Sequence, residues 1–312
     1  AVAVEPYTYE RSRFFGDLTW NFWRTTSLKV GYTISSTARE LGEEDEGKSD
    51  EGTFKASLDT SPVDWLILRV SFLTGKREWS ENGKKDIYAP GFNFKRYFEA
   101  SRDRNALNLL AGFSLVQNLD VQFSYMMGKD KYPKSDFGLL NDDFTSFSLD
   151  ASYALGKRTS VYGFFSNEVY RGVQKSRQSG ATISTDPRAD WSADLKDTID
   201  TFGGGIILPL LKDSLDLDLS YTYSKARGTS DLYSPPGGTP DLAVNFEKPL
   251  DTTTLNIAKV RLTYKLMTHL SVVAGYWYEK YTLEDIYRND WKVDLIVPGY
   301  GIYLGALEPG YS

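Results

Sequence analysis

From Ser214 to Lys225 the chain alternates between apolar and polar residues with almost no error. Leu215, Leu217, Leu219, Tyr221 and Tyr223 have one parity; Asp216, Asp218, Ser220, Thr222 and Ser224 have the other. Successive side chains of a strand point to opposite faces, so this spacing predicts a strand with one apolar and one strongly polar face. The same period of two recurs along the chain. It is clear at Phe14, Leu18, Trp20 and Phe22, at Leu28, Val30, Tyr32 and Ile34, and at Leu66, Leu68, Val70 and Phe72. It returns at Leu107 to Leu115, Val121 to Tyr125, Phe147 to Tyr153, and Ala258 to Tyr264. About twelve strands result, most of them long enough for the roughly 9–11 residues with which a tilted strand crosses a bilayer.

The connections alternate as well. Short links fall near 25–27, 61–64, 116–119, 156–159, 211–213 and 267–269, and long polar segments rich in Gly and Pro lie between them. The stretches 38–52, 77–103, 128–142, 171–196 and 226–251 read as loops. Short turns at one end and long loops at the other predict an all-β, antiparallel up-and-down transmembrane β-barrel, with periplasmic turns and extracellular loops. A soluble sandwich, the alternative, has no reason to gather its short turns at one end, and no blade-like repeat marks a propeller. Residues 1–312 are read as one barrel domain. On that reading the Leu and Tyr face of 215–223 meets lipid. Lys29, Lys55, Arg69, Asp150, Asp216, Asp218, Lys259, Arg261 and Lys265 then face the lumen, as candidates for contact with a solute or an inserted protein.

Composition changes the picture little. Hydrophobic residues make up 41 % of the 312, and mean hydropathy is −0.40. No run approaches the roughly 20 apolar residues of a membrane helix, which leaves a barrel untouched. Aromatics reach 14 %, with 21 Tyr, 17 Phe and 7 Trp, as girdles at two membrane interfaces would require. Trp20, Phe22 and Trp23 fall beside a short turn, and Tyr276, Trp277, Tyr278 and Tyr281 toward the other end of a strand. A net charge of −6 argues against a nucleic-acid partner.

Candidate chemistry is sparse. The chain has no cysteine, hence no disulfide, no thiolate metal site and no C-x-x-C-H haem attachment. The single histidine, His269, sits in the short turn "MTHL", away from any outer-rim hydrolase site, and reads as a solvated turn residue. No catalytic, cofactor-binding or metal residue is expected, and the protein is not read as an enzyme. The segment Glu40–Gly52 gathers seven acidic residues whose carboxylate oxygens suit a weak Ca²⁺ site, but it lacks EF-hand spacing and reads as a solvated loop. "TFGGGIILP" (201–209) lacks the Lys and following helix of a phosphate cradle. Its glycines suit a bend, or close packing against something in the lumen.

The C-terminal segment "YEKYTLEDIYRNDWKVDLIVPGYGIYLGALEPGYS" carries a resemblance. Tyr-Glu-x-Tyr ends a strand; Asp290 and Trp291 follow; Leu304, Gly305, Ala306, Pro309, Tyr311 and Ser312 close the chain. These residues resemble the closing region of the MtrB/PioB family of decahaem-associated outer-membrane β-barrels. The early "YTYERSRFFGDLTWNFWRTTSLKVGYTI" resembles the family's hairpin style. The resemblance implies a bacterial outer-membrane sheath around a periplasm-facing multihaem c-type cytochrome, often with a second cytochrome docked outside. The haem belongs to the partner, and this chain holds no cofactor. An ordinary diffusion porin or solute channel is the alternative. The family's barrels have more strands than the twelve read here and a further closing strand after the final motif. The chain is therefore expected to be the C-terminal part of a larger barrel without its last strand.

Overall fold

The computed structural model describes residues 7–41, 45–81, 94–95, 97–156, 158–177, 185–211, 214–233, 235 and 251–285. Strands form wherever the period of two runs. They are β1 (Tyr7–Trp23), β2 (Thr26–Leu41), β3 (Asp45–Val63), β4 (Leu66–Glu81), the short β5 (Phe94–Lys95), β6 (Arg102–Val116) and β7 (Leu119–Lys131). There follow β8 (Phe137–Ala154), β9 (Ser160–Arg177), a 3-10 turn at Pro187–Ala189, β10 (Asp190–Leu211), β11 (Leu215–Tyr233), β12 (Asp251–Met267) and β13 (Leu270–Asp285). Twelve long strands form one antiparallel sheet in chain order, and β5 pairs parallel with the start of β8. Among the described residues no pairing joins β1 to β13.

The short links sit close to where alternation placed them. Arg24–Thr25, Asp64–Trp65, Gln117–Asn118 and Thr268–His269 are two-residue turns at one end of the sheet. Asn118 takes φ 69°, a left-handed conformation that Asn tolerates and tight hairpin turns need. At the other end the loops are shorter than expected because the strands run on. Segment 38–52 is strand over most of its length: Ala38 opposes Lys48 and Ser36 opposes Asp50. Likewise 128–131 and 137–142 belong to β7 and β8. Main-chain ladder bonds form whatever the side-chain polarity, so the ladder outlasts the apolar pattern.

Register assigns every residue a face. One row runs Thr19, Lys29, Ser57, Ser71, Asn108, Met126, Ser146 and Glu168; the next residue of each strand belongs to the opposite, apolar face. The polar face is the closed one. Ser35, Ser49 and Ser57 are 7, 4 and 7 % exposed, whereas Tyr32, Ile34 and Phe72 on the apolar face are 52, 52 and 43 % exposed. A sheet curled toward its polar side produces that difference. The few buried apolar residues among those described, Ala100, Tyr132, Phe137 and Ala193, lie at the long-connection end rather than in a central core.

The apolar band is slanted across the strands. Its uppermost residues are Ile34, Phe72, Phe147, Tyr223 and Tyr278 on β2, β4, β8, β11 and β13. Ile34 is level in register with Lys76, four residues above Phe72, and Phe72 with Thr145, two above Phe147. Phe147 is level with Lys225, two above Tyr223, and Tyr223 with Lys280, two above Tyr278. The band thus slips about one residue per strand. With about 3.3 Å per residue and 4.8 Å between strands, that slip is a tilt of roughly 35°, within the range of closed barrels. Above the band the apolar face turns charged, with Lys76, Lys129, Asp143, Arg171, Lys225 and Lys280.

Aromatic rings mark the top of the band. Phe123, Phe147 and Phe165 contact in sequence at 5.4 and 5.8 Å between centroids, and Phe202 meets Tyr223 at 5.0 Å. Trp20 and Phe22 pair at 5.0 Å beside the first short turn. Trp277 and Tyr281, counted with this girdle from the sequence, lie instead on the polar face, opposite Lys259 and Leu255. The glycines of β10 lie beside rings of β9. A Cβ at Gly203 would meet the Phe164 ring at 2.7 Å, and one at Gly205 the Tyr162 hydroxyl at 2.6 Å. Rings of the neighbouring strand lie over these glycines on the polar face, as Phe144 lies over Gly128 and Trp79 over Gly47.

Candidate functional site

Register puts all nine sequence-derived lumen candidates on the polar face. It gathers them into two groups. Lys29, Lys55 and Arg69 sit on β2–β4, where Lys29 lies 3.9 Å from Asp17 and Arg69 is paired with Asp59. Asp216, Asp218, Lys259, Arg261 and Lys265 sit on β11 and β12. There Asp216 is held by Arg158 and, at 3.9 Å, by Lys265; Asp218 opposes Arg261; and the Lys259 ammonium lies 4.6 Å from the Trp277 ring centre. Asp150 stands apart on β8, accepting a hydrogen bond from Ser148 at 3.3 Å. At about 4.8 Å per strand the two groups are roughly 30 Å apart along the sheet. They are separate patches of an inner wall, not one site.

A denser cluster lies higher on the same face, at the long-connection end, and it was not read from the sequence. Asp130 is only 5 % exposed. It accepts from Arg104 Nη2 at 2.6 Å and Nε at 2.8 Å, and from Arg102 Nη1 at 3.3 Å. Arg102 Nη2 also donates to Glu51 at 2.6 Å, linking β3, β6 and β7. The bond to Asp130 holds the Arg104 guanidinium above its ordinary range. Burial, and then the Asp130 charge, push the Asp142 carboxyl and the Tyr132 phenol up. Arg77, 9 % exposed, is pushed below its ordinary range by burial and then by the charge of Arg102.

Arg77 also pins the connection from β4 to β6. Its Nε donates to the Ala100 carbonyl at 3.0 Å and its Nη2 to the Tyr97 carbonyl. Because Arg77 is a polar-face residue of β4, these bonds lay segment 97–100 against that face. Farther back in the same connection, β5 reaches past β6 and β7 to the start of β8, where Gly138 adopts φ 94° beneath Lys95. Phe137, next to Gly138, is flanked by Lys175 and Arg177, both about 5 Å from its ring centre at 5.2 and 5.1 Å. The cluster was missed because 38–52, 77–103 and 128–142, which hold Glu51, Arg77, Arg102 and Asp130, read as loops. Its sequence signal was present all the same: Arg102 and Arg104 continue the period of two beyond the last apolar residue.

Among the described residues no group of three or more His, Cys, Asp or Glu side chains is placed to hold a metal ion, and residues 42–44 of the acidic segment lie outside them. His269 lies exposed in its two-residue turn. The motif residues 286–312 lie outside the described residues.

Comparison with solved structures gives the siderophore receptor PiuA from Acinetobacter baumannii at TM-score 0.51 and 11 % identity, covering 86 % of this chain and 47 % of that one. BauA, the ferric preacinetobactin receptor of the same organism, aligns at TM-score 0.35 and 10 % identity, over 90 % of this chain and 60 % of that one. The chain therefore spans about half the length of PiuA, and the likeness concerns fold alone. No curated protein sequence matches it. The family described as "Putative outer membrane beta-barrel porin, MtrB/PioB" matches residues 1–312, the whole chain. With a lipid-facing apolar band, a closed polar face and that match over its full length, the chain belongs to the MtrB/PioB family of outer-membrane β-barrel porins.

Proposed function

We propose that this chain forms part of a barrel wall that houses and insulates a multihaem c-type cytochrome, so that electrons cross the bacterial outer membrane inside a protein sheath. The observation that carries this reading is the family match along the entire chain. The wall's construction supports it. One face offers about 22 Å of apolar surface to lipid across the slanted strands. The other offers paired charges and small hydroxyl residues that leave room for an inserted body. The chain has no cysteine to attach a haem, so the haem is the partner's. The contribution of this chain is to exclude water and ions around the haem chain and to fix the partner's height in the membrane.

The lumen candidates would meet the partner through their free edges, Lys55 and Asp150 more readily than the paired Asp216. A second reading, a diffusion porin or solute channel, is favoured by one feature: segment 97–100 lies against the polar face under Arg77, as a constricting loop would. The test is purification of the full-length protein from detergent-solubilised outer membrane, with absorbance read at the Soret band. A stoichiometric haem signal co-migrating with the barrel supports the sheath. A colourless barrel that conducts ions in a planar bilayer overturns it and leaves the channel.

A further inference from the structure

The polar face holds a pocket of about 310 Å³ above the membrane band, bordered by β1 to β4. Among the described residues, Arg11, Arg39 and Arg77 line it together with Ser35, Ser49 and one carboxylate, Glu51. Glu51 is already engaged, accepting from Arg102 at 2.6 Å. Arg39 donates to the Ser49 hydroxyl at 3.1 Å, and the bonds of Arg77 go to main-chain carbonyls. Among the described residues no carboxylate is bonded to Arg11, Arg39 or Arg77. Three arginines from three strands thus line one concavity, and the one carboxylate among its described lining residues, Glu51, is bonded to Arg102. Ser35, 7 % exposed, adds a hydroxyl donor, while Ser49, 4 % exposed, gives its proton to the Thr37 carbonyl at 3.5 Å and holds Arg39 in place.

Like charges gathered on a closed face repel, and water screens them poorly where Arg77 is 9 % exposed. The arrangement is relieved by a counter-charge that accepts several hydrogen bonds at once, as the planar guanidinium fork accommodates on carboxylate and phosphate oxygens. We infer that this pocket is an oxyanion-binding site on the lumen side of the wall, taking a phosphate or carboxylate group between Arg11, Arg39 and Arg77. The group comes either from a small solute or from an anionic group on a body seated in the lumen. The inference stands whether that body is a cytochrome or absent.

The experiment uses the full-length barrel, purified in detergent both with whatever co-purifies and after that material is stripped. Inorganic phosphate and citrate are titrated by calorimetry at constant ionic strength, with chloride as control. Stripped wild-type barrel is expected to bind both, and Arg11→Gln combined with Arg39→Gln to weaken binding about tenfold or more. Arg39→Lys, which keeps the charge and loses the fork, is expected to fall between. Heat-modifiable migration on a gel confirms that each variant is folded. Binding by the stripped barrel only assigns the site to an anionic group of the lumen body; binding by both preparations assigns it to a solute. No binding to folded, stripped barrel, or binding indifferent to the double substitution, overturns the inference.

Discussion

Leu219 offers the sharpest test of which face meets lipid. In β11 the apolar band runs from Leu215 to Tyr223, and Leu219 is its centre. Eight residue steps at about 3.3 Å, tilted by roughly 35°, make a band about 22 Å tall, close to the ~25 Å of outer-membrane barrels. Leu215 then lies about 11 Å from the midplane and Leu219 on it. An Arg on the lipid face costs about 2–4 kcal/mol at the midplane and about 0–1 kcal/mol near an interface. Leu219→Arg is therefore expected to destabilise by about 2–4 kcal/mol and Leu215→Arg by about 1 kcal/mol or less. Ser220→Arg, one residue along but on the polar face, is expected to change stability by about 0.5 kcal/mol or less. The assay is reversible unfolding of the full-length protein in lipid vesicles with urea or guanidinium, followed by tryptophan fluorescence. Equal costs at Leu215 and Leu219 would refute the depth argument. A Ser220→Arg cost matching that of Leu219→Arg would refute the assignment of faces.

Further outcomes follow from single contacts. Gly128→Ala places a Cβ against the Phe144 ring and is expected to cost about 1–3 kcal/mol; because its nearest contacts are all ring atoms, Phe144→Ala should recover most of that loss in a double-mutant cycle. Asp130→Asn weakens the bonds to Arg102 and Arg104 and is expected to lower stability by about 1.5–3 kcal/mol, with a smaller difference from wild type in high salt. The Asp142 carboxyl is held above the usual carboxylate range by burial and then by Asp130. A raised folded value means the folded state binds its proton more tightly than the unfolded chain, so this group favours unfolding above its folded pKa and ceases to do so as the pH falls through it. Asp142→Asn is therefore expected to stabilise at neutral pH and to flatten that part of the acid-side profile, measured as unfolding midpoint against pH. Arg77→Ala releases the carbonyls of Tyr97 and Ala100, and limited proteolysis should then cut near 97–100 faster than in wild type.

Strand identity, facing and the short turns were legible in the chain because each depends on neighbours in sequence. Leu215 to Tyr223 share a face for the same reason that Asp216 to Ser224 share the other: two residues of extended backbone return a side chain to its side. Lys29, Asp150 and Lys265 could be placed on one face strand by strand in that way, with no knowledge of which strand neighbours which. The reading failed where it equated polarity with loop. Ala38, Lys48 and Asp50 are polar-region residues yet ladder members, since main-chain pairing continues into water after the apolar band ends. The two-residue alternation of Arg102 and Arg104 carried that information, but charged strand ends and charged loops share a composition.

Tertiary structure alone decided what lies beside what. The slip of one residue per strand, and the tilt it imposes, exists only in the register between strands, which no single strand encodes. The rings over Gly128, Gly203 and Gly205 come from the adjacent strand. Arg102 meets Glu51 across 51 positions of sequence. Arg11, Arg39 and Arg77 line one pocket because pairing sets β1, β2 and β4 within three strands of one another. Alternation is a local property of the extended chain and survives in one dimension; electrostatic convergence is a property of distances between strands, and those are set only when the sheet has paired.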